Sequence, residues 1–206
     1  KIDFITTAFD EESLDFIVND LKVKKLKIPS GEITNGPFLL SHARSNLDII
    51  LSTGMANQYE IKKALDIIAF GYINPKIKVT NTDQFVDAYK NKNHMKILRD
   101  KVSILHCTTE YPAPLEELNL SAIHTIEENF GVRVGYSDHS EGIIASIVAC
   151  SFGASIIEKH FTLDRNMKGP DHKASLNPSE FEILIKRIRF MERLMGNSIK
   201  KPSKSE

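Results

Sequence analysis

The sequence predicts an α/β protein built as part of a (β/α)8 TIM barrel, and three observations carry that expectation. β-rich runs alternate strictly with helical patterns, which argues a parallel sheet flanked by helices. Polar residues gather at the C-terminal end of one run after another, where barrel active sites are built. A doubly wound sheet fits the alternation as well, but no Gly-x-Gly-x-x-Gly turn follows any strand. Six β-rich runs are present, against the eight strands of a closed barrel. The expectation is therefore an incomplete barrel of about six βα units, with the first two missing.

The runs follow in order. Phe4-Ile5-Thr6-Thr7 is the first, and its helix places Leu14, Ile17, Val18 and Leu21 on one face. Leu26-Lys27-Ile28 is the second, before a polar turn and a short apolar segment over residues 38–43. Asp48-Ile49-Ile50-Leu51 is the third. Its helix has Asn57 as N-cap, Glu60 as capping partner, Ile61, Leu65 and Ile68 inward, and Gly71 as stop. Residues 74–99 form a polar insertion, longer than a usual αβ connection, with one helix expected at residues 84–89.

Ser103-Ile104-Leu105-His106 is the fourth run, with a helix carrying Leu120, Ile123, Ile126 and Phe130 before Gly131. Val132-Arg133-Val134 is the fifth, and its helix spans residues 143–152 before Gly153. Ser155-Ile156-Ile157 is the sixth. The last helix has Asn177 as cap, Pro178 at its first position, and Phe181, Leu184, Ile185, Ile188 and Leu194 expected inward. Residues 1–196 thus read as one partial barrel, and residues 197–206 have linker composition.

Charge excludes some partners. Lys plus Arg equals Asp plus Glu at 27 each, so no global basic field draws nucleic acid or an anionic membrane. Any bound anion must be held by a local cluster. No apolar run approaches the roughly 20 residues of a membrane span, and no secretory signal is present. Cys107 and Cys150 read as small buried residues rather than a disulfide, which suits a reducing cytoplasm. The chain opens on Lys1 directly before a strand and reads as a piece of something longer.

The strand ends carry the chemistry. Side chains alternate faces along a strand, so Ser137 shares a face with His139, and Glu158 shares one with His160. On neighbouring parallel strands the two imidazoles converge, making a two-histidine metal site flanked by hydroxyls and a carboxylate. Lys27 and several hydroxyls, converging from the ends of separate strands, make a local oxyanion or phosphate cradle. Each has a plainer alternative: Lys27 can pair with Glu32, Ser-Thr-Gly can merely start a helix, and His106 can be a satisfied polar residue. Concurrence at one edge favours the site.

Six segments resemble the N-acetylneuraminate (sialic acid) synthase family in order: Lys-Ile-Pro-Ser-Gly-Glu at 27–32, Leu-Ser-Thr-Gly-Met-Ala at 51–56, His-Cys-Thr-Thr-Glu-Tyr-Pro-Ala-Pro at 106–114, Gly-Tyr-Ser-Asp-His-Ser at 135–140, Ile-Glu-Lys-His-Phe-Thr-Leu-Asp at 157–164 and Gly-Pro-Asp-His-Lys-Ala-Ser-Leu at 169–176. The resemblance implies condensation of phosphoenolpyruvate with an N-acetylated mannosamine-type sugar to a nine-carbon 2-keto-3-deoxy acid, sialic or legionaminic. It implies Mn2+ or Mg2+ held by His139 and His160, and phosphoenolpyruvate gripped by Lys27, Ser30, Ser52, Thr109 and Ser137. Many relatives carry asparagine or a small polar residue at the Thr109 position.

Glu158, Glu32 and Tyr111 are implied near the reacting carbons, and Asp171 with Tyr111 near the sugar. A C-terminal antifreeze-like domain, exchanged across a homodimer, is implied beyond residue 206. The first two strands, which in the family supply a further glutamate, would precede residue 1, so the 206-residue chain alone is expected to be inactive. The alternatives are a related metal-dependent aldolase or phosphoenolpyruvate-condensing barrel acting on another sugar, and a non-catalytic barrel remnant.

Overall fold

A computed structural model describes residues 2–86, 88, 91–203 and 205. In chain order its elements are α1 (Glu11–Asn19), β1 (Lys25–Ile28), α2 (Gly36–Arg44), β2 (Asp48–Ser52), α3 (Gln58–Ile73), α4 (Lys92–Lys101), β3 (Val102–Cys107), α5 (Ala122–Phe130), β4 (Arg133–Asp138), α6 (Ile144–Ser151), β5 (Ile157–Lys159) and α7 (Pro178–Met195). The five strands form one parallel sheet in sequential order β1-β2-β3-β4-β5.

The sheet is curled. Lys27 on β1 and Glu158 on β5 stand on the two outermost strands, yet Lys27 Nζ lies 3.8 Å from Glu158 Oε2. In a flat sheet their backbones would be four spacings apart, roughly 19 Å, beyond the reach of the two side chains. The sheet therefore follows the arc of a barrel, as expected, but with five strands rather than six. The run Phe4-Ile5-Thr6-Thr7 contributes only one parallel bridge, Thr7 to Lys27. Ile2, Phe4 and Ile5 are exposed, so the β-branched run has no face buried against a neighbour.

The core fills the space between the outer face of the sheet and the helices. Ile28, Leu39, Leu51, Leu65, Ile68, Leu98, Ile104 and Ile123 are each 0% exposed, and each such side chain contributes about 2 kcal/mol by burial. The α3 capping box is formed as the sequence indicated: Asn57 Oδ1 accepts from the Glu60 amide at 3.1 Å, and Glu60 Oε2 accepts from the Asn57 amide at 2.8 Å. The α7 box with Asn177 and Glu180 is formed likewise.

Gly71 does not stop α3, which continues to Ile73. It lies inside the helix because a Cβ there would meet Ala43 Cβ at 2.6 Å, so it is the point of closest approach to α2. The end of the insertion is helical instead, forming α4, where Leu98 is buried and Met95 and Ile97 pack partly buried against the core, a short apolar face in an otherwise polar segment. Of the helix expected at residues 84–89, the described part is a 3-10 turn, Thr82–Phe85, and Asp87 and Tyr89 lie outside the described residues. On α7 only Leu184 is buried, while Ile185 and Leu194 are 46% and 70% exposed rather than inward. Leu21 falls beyond α1 and is exposed.

Candidate active site at the strand C-termini

Parallel pairing puts every strand's C-terminus at the same edge, so residues far apart in the chain become neighbours there. Lys27 Nζ donates to Ser52 Oγ at 2.8 Å and to its neighbour's carbonyl, Ile28 O, at 3.2 Å. Its side chain is 11% exposed. Burial, the largest influence, pushes its pKa below the ordinary 10.5, and the charge of Glu158 pulls it back up. The register Ser137 to Glu158 on β4 and β5 lets Ser137 Oγ donate to Glu158 Oε1 at 2.7 Å. A cation, two hydroxyls and a carboxylate from four strands thus share one concave edge.

Ser30 and Thr109 join this cluster around Gly54. A Cβ on Gly54 would stand 2.1 Å from Thr109 Oγ1, 3.0 Å from Cys107 Sγ and 3.2 Å from Ser30 Oγ. The backbone of the β2–α3 turn is therefore pressed against all three side chains, and any larger residue would require the Thr109 side chain or the turn to shift. Cys107 is buried and free, as is the thiol of half-buried Cys150, in keeping with the expected lack of a disulfide. By sequence Cys107 is only a small buried residue; its place beneath the cradle follows from β3 lying between β2 and β4. Glu32 stands apart: it closes the short 3-10 turn after β1 and accepts from Asn35 Nδ2 at 2.7 Å.

The histidines meet as the alternation implied. The rings of His139 and His160 have centroids 5.4 Å apart, and Tyr111 lies against both, at 4.2 Å and 5.5 Å. His139 Nδ1 sits 2.7 Å from the Thr108 carbonyl, which accepts only from an N–H. That contact leaves Nε2 as the lone-pair nitrogen, 3.3 Å from Ser137 Oγ. Burial, first among the causes, pushes the His139 pKa below 6.5 while the Thr108 carbonyl opposes it, so the ring is held neutral near pH 7. His160 Nδ1 lies 3.8 Å from Asp171 Oδ2.

A neutral imidazole with its far nitrogen on a backbone carbonyl fits a metal ligand, and the paired rings fit a divalent ion that keeps open positions. Among the described residues no group of three or more histidine, cysteine, aspartate or glutamate side chains is placed to hold a metal ion, so the histidine pair would leave the remaining positions to water or substrate. His106, by contrast, has Nε2 2.8 Å from the Leu118 carbonyl and stacks on Tyr136 on the helix side of the sheet.

Asp171 reaches the site on the long β5–α7 loop. Arg165 ties that loop down, donating to the Ser175 carbonyl at 2.9 Å and to Glu180 at 2.6 Å, and Ser175 Oγ donates to the Asp171 carbonyl at 2.7 Å. A mostly apolar cavity of about 530 Å³ lies between α2, α3 and residues 79–86, on the outside of the sheet and away from the cluster. No helix among the described residues is long and apolar enough to cross a membrane.

Five parallel strands wrapped by helices, with polar side chains converging at their C-terminal ends, define a partial βα barrel with a barrel-type site. The chain belongs to the NeuB family, whose model matches residues 1–200. It is 49% identical to N,N'-diacetyllegionaminic acid synthase of Campylobacter jejuni, over 100% of this chain and 54% of that protein. It is 30% identical to human N-acetylneuraminate-9-phosphate synthase, over 96% of this chain and 47% of that one. Among solved structures, the N-acetylneuraminic acid synthetase of Leptospira borgpetersenii, in complex with citrate, superposes with a TM-score of 0.79 at 32% identity, covering 97% of this chain and 60% of that one. The truncated 3-deoxy-D-arabino-heptulosonate 7-phosphate synthase of Thermotoga maritima, at 20% identity and a TM-score of 0.62, shares the fold. The chain spans about half the length of the curated relatives it matches.

Proposed function

We propose that the protein containing this chain condenses phosphoenolpyruvate with an N-acetylated amino sugar, releasing phosphate and a nine-carbon 2-keto-3-deoxy acid. The observation that carries the reading is the convergence of Lys27, Ser52, Ser137 and Glu158 from four strands beside the His139–His160 pair. The names of the relatives support it and point to a particular sugar. The two relatives at 49% and 42% identity are N,N'-diacetyllegionaminic acid synthases, whereas the human N-acetylneuraminate-9-phosphate synthase stands at 30%. The preferred substrate is accordingly the 2,4-diacetamido-trideoxy analogue of N-acetylmannosamine.

Each side chain has a role its position allows. Lys27, with the hydroxyls of Ser30, Ser52, Thr109 and Ser137, holds the phosphate and carboxylate of phosphoenolpyruvate. Tyr111 and Asp171 border the sugar. His139 and His160 would hold Mn2+ or Mg2+, which when bound supplies Lewis-acid polarisation of the sugar aldehyde. Carbon 3 of phosphoenolpyruvate attacks the aldehyde carbon, and the aldehyde oxygen takes up a proton. Carbon 2 becomes electron-poor; Glu158 stabilises it and accepts a proton from the water that adds there. The tetrahedral intermediate then collapses with cleavage of the bond between carbon 2 and the bridging oxygen, and phosphate leaves against Lys27.

The setting that accords with this reading is a cytoplasmic, domain-exchanged homodimer, with residues 197–206 leading towards the exchanged domain. The test is an assay of the complete protein with Mn2+, phosphoenolpyruvate and each sugar in turn. Phosphate release should be faster with the 2,4-diacetamido sugar, and 18O placed in the bridging oxygen should appear in the phosphate. No phosphate release with either sugar overturns the reading.

A further inference from the structure

We propose that the buried ion pair of Asp138 and Lys159 is a positioning element that sets the relative placement of the His139 and His160 rings, and with it the affinity for a divalent ion. The proposal rests on reading those histidines as the metal pair.

Asp138 and Lys159 form the last rung of the β4–β5 ladder, with Oδ2 and Nζ 3.1 Å apart and side chains 0% and 1% exposed. Alternation along each strand turns them to the helix side, away from Ser137, His139, Glu158 and His160. Each partner is therefore the chain neighbour of one histidine, and neither touches the polar edge. The β4–β5 ladder has only three paired positions, Tyr136 to Ile157, Ser137 to Glu158 and Asp138 to Lys159. Beyond it the chain is held by Leu176, whose amide donates to the His160 carbonyl at 2.9 Å, and the ion pair adds a side-chain tie between β4 and β5 just before His160.

The same network fixes the chain beyond His139. Asp138 Oδ1 accepts from the Ser140 amide at 2.9 Å and the Ser140 hydroxyl at 2.6 Å, and Oδ2 accepts from Ser146 Oγ of α6 at 2.5 Å. Lys159 Nζ donates to the Ser140 carbonyl. Ser140 is thus gripped at amide, hydroxyl and carbonyl, and the preceding His139 carbonyl accepts from Ala113 N at 2.9 Å. With Nδ1 on Thr108, the His139 ring and both its flanks are immobilised. A fully buried ion pair is a poor source of stability compared with apolar side chains of similar shape, so a network this complete beside two ligands points to geometry.

The experiment uses the complete protein and measures Mn2+ binding by calorimetry and by the electron paramagnetic resonance spectrum of bound Mn2+. The double variant Asp138→Asn/Lys159→Met removes both charges together, leaving none unpaired. It should bind Mn2+ about tenfold or more weakly, with an altered spectrum, while metal-free binding of phosphoenolpyruvate is unchanged. Asp138→Asn alone, which keeps the side chain's shape, should show the same direction, and Ser146→Ala, which removes one donor to Asp138 Oδ2 and unpairs no charge, decides the matter should neither of these variants fold. Wild-type Mn2+ affinity and spectrum in the folded variant overturn the proposal. His139→Ala serves as control: Mn2+ binding that survives it overturns the metal reading itself, whereas loss in His139→Ala with wild-type binding in Asp138→Asn overturns only the positioning role.

Discussion

Lys27 Nζ and Glu158 Oε2 lie 3.8 Å apart although their strands are the first and last of the five. The contact measures the curl of the sheet and joins the cation of the proposed phosphate cradle to the carboxylate proposed to work at carbon 2. At 3.8 Å it is longer than a hydrogen bond, so Glu158 Oε2 stays available to a proton while Oε1 is held by Ser137.

Lys27 should give the reaction an early alkaline limit. Burial depresses its pKa from 10.5, so it loses the charge needed to hold phosphate at a lower pH than an exposed lysine does. kcat/KM for phosphoenolpyruvate should fall on the alkaline side below pH 10.5, and Lys27→Arg should move that limb upward. Because burial outweighs the pull of Glu158, the stability sign is opposite to that of a lysine whose pKa is raised on folding. Between the folded and unfolded pKa values the unfolded chain binds more protons, so stability rises with pH across that window. A urea titration of Lys27→Met against pH should show a flatter rise; an unchanged alkaline limb in Lys27→Arg would exclude the assignment.

Gly54→Ala should damage the cradle directly. Its Cβ would meet Thr109 Oγ1 at 2.1 Å and Cys107 Sγ at 3.0 Å, so either those side chains or the turn must shift. A displacement of this size is expected to lower kcat/KM for phosphoenolpyruvate by about 100-fold and to leave Mn2+ affinity near wild type. Steady-state kinetics with calorimetry in parallel checks both halves.

His139→Ala and His160→Ala should each abolish metal-dependent condensation. Each removes one of two paired imidazoles, while the core beneath them stays intact. Melting temperatures near wild type, together with loss of Mn2+ binding by calorimetry, are the expected result. Retained turnover in either variant would mean the ion sits elsewhere.

Gly71→Val should destabilise without touching the chemistry. Even a Cβ there approaches Ala43 Cβ to 2.6 Å, and forcing α2 and α3 apart costs about 1–3 kcal/mol. Chemical denaturation should report that loss, with KM values unchanged because the contact lies on the outer layer.

The N-cap of α3 offers a milder change. Asn57→Ala removes acceptors for the Tyr59 and Glu60 amides and should cost about 1 kcal/mol, read as a small drop in melting temperature.

The chain's own residues were enough to indicate parallel βα order, the helix caps at Asn57 and Asn177, and the sharing of a face by Ser137 with His139 and by Glu158 with His160. All of these depend on neighbours within a few positions, through strand alternation and local hydrogen bonds. What was illegible depends on surroundings. The run at residues 4–7 has strand composition but finds no ladder beyond Thr7. α4 sets only Met95, Ile97 and Leu98 against the core, and this short apolar face lies among lysines and asparagines that read as a loop. Gly71 and a helix-stopping glycine look alike until α2 is packed against it.

The polar cluster divides the same way. Sequence alone determined which side chains stand at strand ends, because alternation and β propensity are properties of the local chain. Only the tertiary structure decided which of them meet: the curl that brings Lys27 to Glu158, the turn that presses Gly54 onto Cys107 and Thr109, and the buried Asp138–Lys159 pair behind the histidines. Those distances are set by strand order and sheet curvature, which arise from packing across the whole domain and are encoded in no single segment.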